Sequence, residues 1–122
     1  MKVAVTIWEN RISPLFDSTR MLLIVEVENR RITGKRREPF ECESAFSRAA
    51  KLEDLGIGVL ICGGISDFFA RLIEAHNIHL IPFAAGEVEE ILDAYMHDRL
   101  SEQKYRMPGC DISRDGSPIE DD

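Results

Sequence analysis

The chain has 122 residues, 44% of them hydrophobic and 30% charged, which is the scale of one domain around one continuous core. Fifteen basic against twenty-two acidic side chains leave a formal charge of −7, which repels a phosphate backbone and argues against nucleic acid as a partner. No apolar run approaches the roughly 20 residues that a bilayer crossing needs, and three cysteines without close pairing make no disulfide framework, so a soluble cytoplasmic protein with reduced thiols is expected.

Residues 2–8 alternate Val3, Val5 and Ile7 with Ala4, Thr6 and Trp8, a period of two that predicts a strand covered on both faces and not the core of a signal peptide. After a loop holding Ser13-Pro14, the run from Met21 to Val27 is β-rich. The polar turn Glu28-Asn29-Arg30-Arg31 then leads into Ile32 to Arg37, which predicts a hairpin. Its second arm is mostly charged, as suits an edge strand guarded against pairing with another chain. The period then becomes helical. Ala45, Ala49, Leu52 and Leu55 share one face behind Ser44 as N-cap, and Gly56 ends the run. Ile57 to Cys62 is short and continuously apolar, the mark of a buried parallel strand. Gly63-Gly64 breaks it, Ser66 caps a helix with Phe69, Leu72, Ile73 and His76 along one side, and His79 to Phe83 is a last short strand. Val88, Ile91, Leu92 and Tyr95 mark a third amphipathic helix.

The predicted order is three antiparallel strands, then helix, strand, helix, strand, helix: an α/β mixed sheet of five strands with three helices, in the ribonuclease-H-like order. Residues 1–110 form the expected domain. Residues 111–122 are polar and, with Cys110, hold five acids against one Arg; this acidic tail is expected to be disordered unless a ligand or partner fixes it.

In open α/β sheets, ligands gather beyond the carboxyl ends of the parallel strands. Three loops lie there: 9–18, 62–66 and 84–86. Gly63 and Gly64 permit close approach of a ligand to backbone N–H groups, which suits an anion, although Gly-Gly at a strand end is also an ordinary tight turn. Arg11 would add positive charge. Cys62 ends the buried strand at this crevice, where it is either a soft metal ligand or a small core hydrophobe. Cys110 follows Met107-Pro108-Gly109 outside the last helix, where no apolar periodicity asks for a thiol; it is either a ligand or incidental. Cys42 reads as incidental. His76, His79 and His97 lack zinc-site spacing with a Cys. Residues 2–8 contain no acid, which argues against two-metal nuclease chemistry, and no nucleophile triad, P-loop or dinucleotide fingerprint stands in context. No catalytic residues are assigned. The basic run Arg30, Arg31, Lys35, Arg36, Arg37 reads as a solvated edge.

Lys2-Val3-Ala4-Val5, the loop Arg11 to Asp17, Leu23 to Val27, Val59-Leu60-Ile61-Cys62-Gly63-Gly64-Ile65, Ile78 to Pro82, Gly86 to Glu90 and Met107-Pro108-Gly109-Cys110 together resemble the dinitrogenase iron-molybdenum cofactor biosynthesis family, the NifX-like domains. The resemblance covers residues 1–110. It implies a ribonuclease-H-like fold and a non-catalytic role in binding or delivering an iron-sulfur, molybdenum-iron or molybdenum-copper sulfide cluster between donor and acceptor proteins. The family often has His-Phe-Gly where this chain has Leu15-Phe16-Asp17, so an imidazole ligand is missing. Weight shifts to Cys62 and Cys110, which match a cysteine-bearing branch ending in Met-Pro-Gly-Cys. On this reading Cys62 and Cys110 are the metal ligands, with Arg11, Ser13, Gly63 and Gly64 stabilising an anionic cluster. The alternative is a regulatory module for a small anion or a protein partner, with structural thiols and no metal.

Overall fold

The structure is a computed structural model and describes residues 1–41 and 44–100. Three expectations lie outside the described residues: the place of Cys42, that of Cys110 with its Met-Pro-Gly turn, and the state of the acidic tail. The elements are β1 (Lys2–Trp8), β2 (Arg11–Ile12), a 3-10 turn (Phe16–Ser18), β3 (Met21–Glu28), β4 (Arg31–Pro39), α1 (Ala45–Asp54), β5 (Ile57–Ile61), α2 (Asp67–Ala75), β6 (His79–Ile81) and α3 (Val88–Met96). The mixed α/β sheet and three helices are those expected, with the sheet order β4-β3-β1-β5-β6.

β1 is central because it is apolar on both faces: it pairs antiparallel with β3 and parallel with β5. The strand count needs correction from five to six. Arg11–Ile12 folds back antiparallel on the end of β1, matching Ile12 to Ile7 and Arg11 to Trp8. Two residues inside a polar loop carry no readable period, whereas the buried Ile7–Ile12 contact supplies the reason they pair.

Alternation along β1 separates two cores. Val3, Val5 and Ile7 face α3 with Val25, Val59, Ile61, Ile91 and Leu92. Ala4 faces α1 and α2 with Leu22, Ile24, Leu60, Leu52 and Ile73. Both predicted N-caps are made: Ser44 accepts from Ser47 N–H in a reciprocal capping box, and Ser66 accepts from Phe69 N–H. His76 caps the end of α2 and reaches Glu53 at 2.7 Å, tying α2 to α1. β4 is an edge strand as expected. On one face of it Glu38 bonds Arg36 and lies 3.6 Å from Lys51 of α1, and the Arg36 hydrogen bond holds its carboxyl below the usual range. On the other face Lys35 meets Glu89 of α3 at 3.1 Å. Among the described residues no helix is long and apolar enough to cross a membrane.

Candidate functional site

The loop after β1 and the loop after β5 lie against each other at the carboxyl end of the sheet. Gly64 N–H donates to Pro14 O, Phe16 N–H donates to Gly64 O, and Leu15 and Gly64 form a parallel bridge. From the other side, Phe83 N–H donates to Gly63 O and Ala84 N–H to Cys62 O. The glycines are thus where the loops close on one another. A Cβ on Gly63 would stand 2.4 Å from Ser13 O and 2.7 Å from Pro14 O, so only hydrogen fits there. The Gly64 amide is spent on Pro14 O, and the Phe83 and Ala84 amides on the carbonyls of Gly63 and Cys62.

Ser13 is buried, and its hydroxyl lies within the loop, donating to Leu15 O at 3.4 Å and accepting from Thr19 Oγ1 at 3.1 Å. Arg11 is exposed on β2, bridged through its backbone to Glu87 at the start of α3. Of the six residues singled out, the structure places five. Ser13, Gly63 and Gly64 form the loop junction, Cys62 lies beneath it, Arg11 is outside at the rim, and Cys110 is beyond the described residues.

Cys62 is fully buried in the core facing α1 and α2. Ala4 pairs with Leu60, and Thr6 and Cys62 each lie two residues further along the same face of adjacent parallel strands. Thr6 also pairs with Leu22 of that core. Its side chain is 0% exposed, and its Oγ1 is the one buried side-chain N or O atom without a hydrogen-bond partner among the described residues. An unpaired buried hydroxyl costs about 1–3 kcal/mol. Thr6→Val keeps the shape and the β-branch and removes the orphan, so it is expected to stabilise the protein by about 1–2 kcal/mol, read as a higher urea midpoint at unchanged slope.

Phe16 lies in the same core and belongs to the loop that covers the strand ends. It is fully buried, its ring 5.2 Å from Phe69 and 5.8 Å from Phe40 between centroids. Arg48 of α1, 7% exposed, fixes this segment from below, donating to Thr19 O at 2.9 Å and Phe16 O at 3.3 Å. Its guanidinium also stands 4.7 Å over the Phe40 ring. Neither Thr6 nor Arg48 was singled out in the sequence. The signal for Arg48 was its spacing of four from Leu52 on the buried side of α1; Thr6 gave none beyond its place in the strand.

Among the described residues no three His, Cys, Asp or Glu side chains converge as a metal site. The carboxyl end of the sheet thus carries a covered thiol, a buried hydroxyl without a partner on the same face, and an exposed cation on β2. Residues 1–98 match the family described as dinitrogenase iron-molybdenum cofactor. The chain belongs to this family. Among solved structures, PH0822 is similar with a TM-score of 0.76 at 16% identity, over 81% of this chain and 91% of that one. A protein of Methanocaldococcus jannaschii described as a candidate dinitrogenase has a TM-score of 0.66 at 19% identity, over 81% and 90%. One of Thermotoga described as a candidate NifB protein has 0.64 at 17%, over 83% and 94%. At these identities the likeness speaks to the fold alone. No curated protein matches the sequence. Within the cofactor family, the first loop of this chain presents an exposed Leu15 and a buried Phe16, so the loop's aromatic residue is a core group.

Proposed function

We propose that this member of the dinitrogenase iron-molybdenum cofactor family is a non-catalytic carrier that binds an iron-sulfur or molybdenum-containing sulfide cluster as cargo and passes it between donor and acceptor proteins. The observation that supports it, beside family membership, is the orphan hydroxyl of Thr6 on the same face as Cys62, at the sheet end where α/β folds bind ligands. A core evolved only for stability would put Val there. A sulfide cluster brings its own bridging sulfur, so the protein has to add only a few soft donors and some positive charge. On this reading Cys62 and Cys110 are the thiolate ligands, Arg11 balances charge at the rim, and Ser13 and the glycine pair shape the opening. Since Cys62 is covered, loading requires the Phe16 segment to move aside.

The complete burial of Cys62 and the internal use of the loop amides favour a second reading, a metal-free module whose thiols are structural and whose partner is a protein or a small anion. One experiment separates the two. Wild-type protein, Cys62→Ala and Cys110→Ala are titrated anaerobically with iron and sulfide, or with a thiomolybdate, while charge-transfer absorption and bound metal are followed. Stoichiometric binding by wild type that falls at least tenfold in either variant is expected. Absence of binding by wild type, or equal binding by all three, overturns the carrier reading.

A further inference from the structure

The sheet ends on strands of unequal length: β6 has three residues and β4 has nine. Among the described residues β4 pairs only with β3, antiparallel, so every second residue of it directs its N–H and C=O away from the sheet. An edge of this kind is usually blunted by being short or by carrying lysine. This one is long and carries arginine. Residues 30–37 hold Arg30, Arg31, Lys35, Arg36 and Arg37 without one acid, in a chain whose net charge is −7. All five cations are exposed. Two are engaged within the fold, Lys35 with Glu89 of α3 and Arg36 with Glu38. The side chains of Arg30, Arg31 and Arg37 make no ion pair or hydrogen bond among the described residues.

We propose that β4 is a docking edge for an extended acidic segment of a partner protein, which adds to the sheet as a further strand. Three features set the chemistry of this occupant. The outward backbone groups of β4 are matched by another extended backbone, and a run of this length supplies several of them. The free side chains are arginines, whose planar fork takes a carboxylate through two hydrogen bonds, whereas a guard against pairing needs only charge. Cations also stand on both faces of the strand: Arg36 lies with Glu38 and Lys51 on the α1 side, and Lys35 and Arg37 on the α3 side. The side chains of an added strand alternate between the faces, so acids on either face of it meet positive charge. A second copy fits poorly, because β4 laid against β4 sets this basic run against itself. Nucleic acid is repelled by the net charge of the chain. The docking edge rests on neither reading of the thiols, since it lies on backbone and arginines away from Cys62.

The test is made on the full-length, metal-free chain, so its outcome is independent of whether a cluster binds. Isotope-labelled protein is titrated to millimolar concentration with an acetylated and amidated peptide of alternating Glu and Val, matched to β4 in length. Amide signals of residues 31–37 are expected to shift, and the outward N–H groups among them to exchange with solvent at least tenfold more slowly at saturation, while those of β6 stay unchanged. Arg31→Glu with Arg37→Glu, which alters exposed side chains only, is expected to weaken binding at least tenfold. The same peptide with Pro in place of Val keeps the charge but loses every second N–H, and is expected not to bind. Absence of shifts along β4, or equal binding by the proline peptide, overturns the proposal. So does an equal effect from a single-stranded oligonucleotide of the same charge, since the edge then attracts any polyanion. Protection of the same amides that rises with protein concentration in the absence of peptide also overturns it, because the occupant is then a second copy.

Discussion

Phe16→Ala is expected to destabilise the protein by about 3–5 kcal/mol and to expose Cys62 to thiol reagents under native conditions. The cost is that of a large ring removed from a place with no solvent access, where it touches two other aromatic rings and lies under a guanidinium. Against the 5–15 kcal/mol typical of a whole domain, this is a large share. The second effect is specific to the position, because Phe16 belongs to the loop that closes over the end of β1 and β5. In Cys42→Ser/Cys110→Ser protein, where only Cys62 can react, the labelling rate is expected to rise more than tenfold. Its weak dependence on urea would mark a local opening, not global unfolding. Arg48→Gln keeps the ring and removes the donor to Phe16 O and Thr19 O, so it is expected to raise the same rate with a smaller loss of stability. Labelling that tracks global unfolding in both variants would show that the Phe16 segment is no cover.

On the carrier reading, this cover reconciles a requirement with an observation that pulls against it. A cluster carrier needs reachable thiolates, and Cys62 has no exposed surface. If the cover opens at a cost of a few kcal/mol, apo protein keeps the thiol from oxidation and the cargo's own binding energy holds the loop open. The orphan Thr6 hydroxyl fits the same scheme, since it is costly when closed and has a sulfide or water to meet when open. On the carrier reading, Thr6→Val is therefore expected to stabilise the empty protein without helping the loaded one.

Most of the framework was legible in the residues, because periods of two and 3.6 are written over several side chains at once. The helix faces at Ala49 and Leu52, at Ile73, and at Val88, Ile91 and Leu92 are the buried ones, and the capping serines stand where their sequence context puts them. The site was less legible, because it depends on contacts between distant segments. That Cys62 ends a buried strand can be read locally; that Phe16, 46 residues earlier, packs into the same core cannot. The glycine pair shows the same limit. Its local chemistry allows an anion cradle as readily as a close approach of backbone, and the close approach of Ser13 and Pro14, which arrive from another loop, cannot be read from the pair itself.

That close approach gives the second large effect. Gly63→Ala is expected to cost about 2–3 kcal/mol, although it adds a single methyl group. The methyl would meet two backbone carbonyl oxygens, at 2.4 and 2.7 Å, and a backbone cannot turn aside as a flexible side chain does. To make room, the loops must part. Parting them strains the bonds from Gly64 N–H to Pro14 O and from Phe16 N–H to Gly64 O, both 2.7 Å long, and lifts Phe16 with its segment. Gly58→Ala is the control, because a Cβ there meets nothing nearer than Met1 Cγ at 3.7 Å, and its cost is expected to stay near zero. Urea denaturation of the two variants measures the difference, and Cys62 labelling shows where it acts: in Gly63→Ala the thiol is expected to become reactive as it does in Phe16→Ala, and in Gly58→Ala to stay closed. Equal stability of the two variants would mean that the loops have slack at this junction, and that the tight register between them is not what keeps Phe16 in place.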